Sequence, residues 1–399
     1  MKTPTYAHYA KHWILNQQYC FLNHGSFGAC PEKVLNYQRQ LLLEMEQQPV
    51  KFMVRDLEER WHKARVDSAA FLNSDFRNLV FVKNATAGVN TVLNSLNLNS
   101  GDEVIVTNHI YGACFNILTE KALKTGFKIS ILNIDLPVQS EQEVVQKLNE
   151  AIKPNTRLLL IDHVTSPTAI VFPIEKIVRS FEEKNIEVLV DGAHAPGMLD
   201  LSPEKIGASY YVGNFHKWVC SPKGSAFLYV REDKKSKIKP FQVSHSYKNT
   251  IESDSWSRDF FWPGTDDFSA FLSVPFAIEF MRTVLPGGWP ELREKNNQLA
   301  LRAKNVLESK LSVFPSSPEE MLGSMALVYL GEFDFLKNNF NKPNPIQNFL
   351  FEKYKIEVPI VNFPYNSNKY WVRISAQVYN QDSQYVYLLE ALEEYLFGQ

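Results

Sequence analysis

Two runs decide the fold: Asn185-Ile186-Glu187-Val188-Leu189-Val190-Asp191-Gly192-Ala193-His194 and, after a short connection, Tyr210-Tyr211-Val212-Gly213-Asn214-Phe215-His216-Lys217-Trp218. Each begins with apolar residues, many β-branched or aromatic, and closes on Gly and polar residues. Runs of this kind read as strands of a parallel sheet buried on both faces. In such sheets ligands bind just beyond the carboxyl ends of the strands. The pattern therefore sets a carboxylate, Asp191, and an amine, Lys217, on one rim facing a cleft.

Working outward, strands and helices alternate. A strand over 79–82 leads through Lys83-Asn84-Ala85-Thr86-Ala87-Gly88 into a helix, with Asn84 a suitable N-cap. Strand, small residues and helix start form an arrangement that binds phosphate through backbone N–H groups and the helix dipole, although many such helices carry no ligand. Further strands fall at 103–107, 128–132 and 157–161, separated by helices at 114–124, 140–152 and 174–183. Asn108-His109-Ile110-Tyr111 and Asp162-His163-Val164-Thr165-Ser166-Pro167 are polar strand ends on the same rim. Residues 225–230 give one more strand, an antiparallel neighbour. The expectation is an α/β fold whose mostly parallel, seven-stranded sheet is sandwiched by helices.

The flanks differ in texture. Residues 1–18 form a polar amphipathic arm, and Phe21-Leu22-Asn23-His24-Gly25-Ser26-Phe27-Gly28 is a short strand breaking into a Gly-punctuated loop. Helices fill 31–73. Beyond residue 232 come a solvated lysine run at 234–239, the turn Trp262-Pro263-Gly264-Thr265-Asp266, and helices at 268–284 and 289–311. Strands at 325–330 and 370–375 complete a smaller α+β lobe. The division is a large lobe of residues 19–270 and a small one of residues 1–18 and 271–399. Arg373 sits inside an apolar strand, where an unpaired guanidinium is costly. Either a local carboxylate or a ligand anion answers it.

Forty-two basic residues against 44 acidic leave no charged surface for nucleic acid or an anionic membrane. No run approaches the ~18 apolar residues of a membrane span, and the first residues lack a signal core. The four cysteines lie far apart, without a CxxC pair, which points to a reducing, cytoplasmic setting. His8 and His12 share a helix spacing but have no third ligand nearby, so no metal site is expected.

An acid and an amine on one rim can be two solvated strand ends. They are also the pair that pyridoxal phosphate requires, a Lys for the Schiff base and an acid to keep the pyridine nitrogen protonated. The order of motifs favours the second reading. Val190-Asp191-Gly192-Ala193-His194-Ala195-Pro196-Gly197 and Gly213-Asn214-Phe215-His216-Lys217-Trp218, together with Leu22-Asn23-His24-Gly25-Ser26-Phe27-Gly28 and the turn at Thr265, resemble the class V aminotransferases, fold type I pyridoxal-phosphate enzymes. Within that family the chain is most similar to isopenicillin N epimerase-like members, whose relatives include C–S lyases, and the resemblance runs from Phe21 to Asn380.

The resemblance implies a homodimer with shared active sites, acting on a small amino acid. It makes Lys217 the Schiff-base lysine and proton carrier, and pairs Asp191 with the pyridinium nitrogen. It sets His194 at the cofactor's phenolic oxygen and stacks Tyr111 on the ring. Thr86 with the backbone of Ala85 and Ala87 cradles the phosphate, with His216 as a further ligand. Thr265 reaches the partner's phosphate, Arg373 grips the substrate α-carboxylate, and Asn23 and His24 line the substrate side. Arg55 is either a contact from the other subunit or part of a solvated helix face. Two departures stand out: Ser166 replaces the Asn of related desulfurases, and the loop Val358-Pro359-Ile360-Val361-Asn362-Phe363-Pro364-Tyr365 lacks their nucleophilic Cys. Epimerisation at Cα is the first expectation, with C–S β-elimination and transamination as alternatives. A Rossmann-type dehydrogenase lacks support because no GxGxxG follows an early strand. A non-catalytic binding member has no need of Lys217, Asp191 and Arg373 together.

Overall fold

The computed structural model describes residues 3–248, 255–311, 314–335 and 344–398. After a two-residue strand β1 (Cys20–Phe21), the chain lays down β2 (Leu79–Val82), β3 (Glu103–Thr107), β4 (Lys128–Leu132), β5 (Thr156–Asp162), β6 (Glu187–Asp191), β7 (Tyr210–Asn214) and β8 (Ala226–Val230). Strands β2 to β8 form one seven-stranded sheet in the order β2-β8-β7-β6-β5-β3-β4. Strands β3 to β7 run parallel, and β8 is antiparallel to both of its neighbours. Buried residues on both sheet faces, such as Val188 and Leu189, explain the continuous apolar runs.

The smaller sheet is antiparallel, β11-β12-β9, built from β9 (Met325–Glu332), β11 (Ile360–Asn362) and β12 (Lys369–Ser375). Strand β10 (Ile356–Glu357) pairs in parallel with β1, so the N-terminal segment is stitched to the C-terminal one. Cys20 and Leu22 share a core with Val328, Ile356 and Leu388. The core beneath the large sheet reaches past residue 270 to Val274, Met281 and Leu292.

Two local expectations change. The single helix expected over 268–284 is two, Ser269–Leu272 and Val274–Thr283, because Pro275 in the first turn of the second lacks the N–H that would continue the first. The lysine run is not free in solvent: Lys234 and Lys237 both pair with Glu187 at the start of β6, and Lys235 lies 5.6 Å over the Trp256 ring.

Candidate active site

Parallel β5, β6 and β7 end side by side on Asp162, Asp191 and Asn214. Beyond them lies a cavity of about 230 Å³, whose walls include Thr86, Tyr111, Asp191, His194, His216 and Lys217. Asn214 ties two of these elements together, since its Oδ1 accepts the Ala85 N–H at 2.8 Å at the start of the helix Ala85–Ser95.

Asp162 and Asp191 are register partners on neighbouring strands, both buried. Burial and the charge of Asp191 push the Asp162 carboxyl well above the ordinary carboxylate range. Burial also raises Asp191, but the Cys114 thiol donates to it at 3.2 Å and the Ala193 N–H at 3.0 Å, and Lys217 adds positive charge. Two adjacent buried acids do not both ionise readily, so Asp162 favours its protonated form and Asp191, with its thiol and amide donors, favours the charged one.

Lys217 Nζ lies 3.1 Å from His194 Nε2. Burial first, then the charge of Arg373, lower the lysine to about 8, so a neutral amine is accessible near physiological pH. Strand β12 brings Arg373, 6% exposed, to the same cleft. Its guanidinium donates to the Ser166 carbonyl and to Ser26 Oγ, while its Nε has no partner among the described residues. Among the described residues no carboxylate pairs with it, and burial lowers it to about 10. The strand's buried cation therefore lacks the local anion that was one of its two readings.

Not every expected contact forms. His24 is fully buried behind the cleft wall, with Nδ1 on the Tyr379 hydroxyl at 2.8 Å and Nε2 on the Lys217 carbonyl at 3.1 Å. Asn23 accepts from Ser26 Oγ at 2.6 Å and is also absent from the wall, so Ser26 and Phe27 stand where those two were expected. The short helix His24–Phe27 turns His24 and Gly25 inward and Ser26 and Phe27 outward, and Asn23 at its N-cap is itself buried. At the phosphate end, the Ala85 and Ala87 N–H groups are engaged by the Asn214 and Asn84 side chains, both at 2.8 Å. That leaves the Thr86 N–H, which has no acceptor within the helix, and its hydroxyl. His216 gives Nδ1–H to the Ser225 carbonyl at 3.1 Å and is lowered to about 4 by burial and Lys217, so it meets an anion only by gaining a proton at Nε2.

Tyr111 stands at the mouth, 45% exposed. Thr265 and Arg55 are exposed and do not line the cavity; Pro263 and Asp266 of the Thr265 turn border a neighbouring cavity of about 430 Å³ that shares Thr86. Ser166 lines the cleft and also supplies a carbonyl. Among the described residues no group of three or more His, Cys, Asp or Glu is placed to hold a metal. Asp162, Asn214 and Ser26 escaped the sequence reading of the site. The first two end parallel strands, and that position is itself the signal that could have found them.

A buried amine, a buried acid, an open helix start and a guanidinium with a free edge fit pyridoxal phosphate and an amino-acid carboxylate. Known proteins agree. The family model "Aminotransferase class-V" matches residues 28–329. The "Probable L-cysteine desulfhydrase, chloroplastic" of Arabidopsis thaliana is 30% identical over 93% of this chain and 82% of its own. "Isopenicillin N epimerase" of Amycolatopsis lactamdurans is 29% identical over 94% of each. Among solved structures, a C-DES variant with glycine covalently linked to its PLP cofactor superposes with a TM-score of 0.80 at 20% identity, over 96% of this chain and 98% of that one. The chain belongs to the class V aminotransferase family and is a pyridoxal-phosphate-dependent enzyme.

Proposed function

We propose that this enzyme is a C–S β-lyase acting on a small cysteine-derived amino acid, with Lys217, Asp191 and Arg373 at its centre. The observation that carries this reading is that His24, expected to line the substrate side of the ring, is buried away from the cleft with both ring nitrogens engaged. Inversion at Cα needs a proton donor on each face, whereas elimination needs one base and a leaving group. Lys217 is one such group, and His24 is not free to act as the second.

Bound pyridoxal phosphate supplies the electron sink for the charge left at Cα. Arg373 binds the α-carboxylate through its fork and open Nε edge, which orients the Cα–H bond. Lys217 Nζ takes the Cα proton. Asp191, which accepts from the Cys114 thiol and the Ala193 N–H and lies near Lys217, would face the pyridine nitrogen and favour its protonated form. A thiolate then departs from Cβ, and water completes the release of pyruvate and ammonia. Thr86, and His216 once protonated at Nε2, would hold the phosphate, and His194 would border the ring. The desulfhydrase similarity supports this reading.

Epimerisation is the second reading, supported by the 29% identity to an epimerase and by the Tyr111 hydroxyl at the mouth. We also propose a homodimer in which Thr265 meets the partner's phosphate. Nuclear magnetic resonance of candidate amino acids recovered from heavy water tests the reaction. Loss of substrate to pyruvate, with retained configuration in what remains, supports the lyase. Deuterium at Cα with loss of chirality and no pyruvate would replace it by the epimerase, and a pyridoxamine spectrum by an aminotransferase.

A further inference from the structure

His194 is 1% exposed and touches two hydrogen-bonding neighbours. Lys217 Nζ is 3.1 Å from its Nε2, and Trp218 Nε1 is 3.4 Å from its Nδ1. The second contact is long, but its polarity is fixed, because an indole N–H only donates. Nδ1 is therefore the acceptor. Burial and the charges of Lys217 and Arg373 hold His194 well below the usual histidine range, so the ring is neutral and has one proton. That proton sits on Nε2 and faces Lys217. A donor aimed at a lysine nitrogen is met by the lone pair of a neutral amine and opposed by an ammonium.

The indole is itself locked in place. Trp218 is 1% exposed, and its ring lies 4.8 Å from that of His24. Gly197 approaches so closely that a Cβ there would lie 2.6 Å from the Trp218 carbonyl carbon.

We propose that Trp218 is a positioning residue: it fixes the His194 tautomer and through it favours the neutral amine of Lys217 over the ammonium. The proposal rests on Lys217 being the lysine that bonds the cofactor. In that step Nζ bonds to the aldehyde carbon and the aldehyde oxygen leaves as water, taking both amine protons. The other charged or titratable groups around the pair are Arg373, Asp191, Asp162, Cys114, His216 and His24, and substitution at 218 leaves all of them present.

The test uses the full-length chain freed of cofactor, mixed with pyridoxal phosphate between pH 6 and 10 while the visible band is followed. In the wild type the rate of linkage inflects near pH 8, where Lys217 loses its proton. Trp218→Phe keeps an aromatic ring without the N–H. Its inflection moves to roughly pH 9 and its rate at pH 7 falls roughly tenfold, with the two profiles meeting at high pH. In a His194→Gln background Trp218→Phe shifts the inflection no further. An unchanged profile in Trp218→Phe, or an equal shift with Gln at 194, overturns the proposal, since only packing would then be at work. A second readout needs no cofactor and is taken on the wild type. In 15N-histidine-labelled wild type the His194 signal, identified by its loss in His194→Gln, shows Nδ1 unprotonated; a proton on Nδ1 overturns the proposal. If borohydride fixes the cofactor elsewhere than on Lys217, the reading of the site fails, and the tautomer is still decided by resonance.

Discussion

Replacing Arg373 by Met removes a buried cation that has no anionic partner among the described residues. The fall of this guanidinium from its ordinary range to about 10, caused by burial, corresponds to roughly 3 kcal/mol of cost for housing the charge. The bonds to the Ser166 carbonyl and Ser26 Oγ offset part of that, at about 1 kcal/mol each. Met should therefore leave the ligand-free protein about 1 kcal/mol more stable, a rise in Tm of roughly 1–3 °C for a chain of this size. The gain does not vary with pH over the neutral range. A base whose folded pKa is depressed destabilises the fold in full below that value, and the penalty is relieved only as pH rises through it. The Tm difference should hence be constant from pH 6 to 9. Function should move the opposite way. Loss of a charge-assisted pair at about 1.5–3 kcal/mol weakens amino-acid binding roughly tenfold to more than a hundredfold, while amines lacking the carboxylate lose little. Calorimetry with and without substrate, and KM for both substrate types, measure the two effects. A fall in Tm together with equal losses for both substrates would refute the argument and make Arg373 structural.

Lys217→Ala should abolish the visible band that borohydride fixes to the wild-type chain, and peptide mapping should place the wild-type adduct on Lys217. Asp191→Asn should retain the cofactor but slow Cα–H exchange at least ~10²-fold, the scale of losing one preorganised electrostatic partner. Asp162→Asn should change exchange at pH 7 little, because burial and the charge of Asp191 favour the protonated form of Asp162, which Asn mimics. Its raised folded pKa makes the wild type lose stability as pH climbs above the ordinary carboxyl range, and denaturant titrations should show this slope reduced in the variant. All four cysteines are buried, and burial raises every thiol. Mass spectrometry after turnover with cysteine should accordingly find no persulfide on the chain, and a persulfide that forms and turns over would overturn this expectation.

What sequence alone determined is whatever depends on local pattern. Apolar runs closed by polar residues located β5, β6 and β7, and the residues ending two of those runs placed Asp191 and Lys217 at one rim before any contact was known. The Asn84 cap and the antiparallel β8 were legible for the same reason, since each follows from neighbours in sequence. Tertiary structure decided what depends on partners hundreds of residues apart. His24 and Ser26 are two positions apart, yet one turns to Tyr379 and the other to Arg373, and the inward rotation of a four-residue helix is not written in its composition. The two acids at the cleft floor become unequal only through the strand register and the Cys114 thiol. The free Nε of Arg373 could be recognised only once every side chain around it had been placed, because satisfaction of a buried charge is a property of its surroundings.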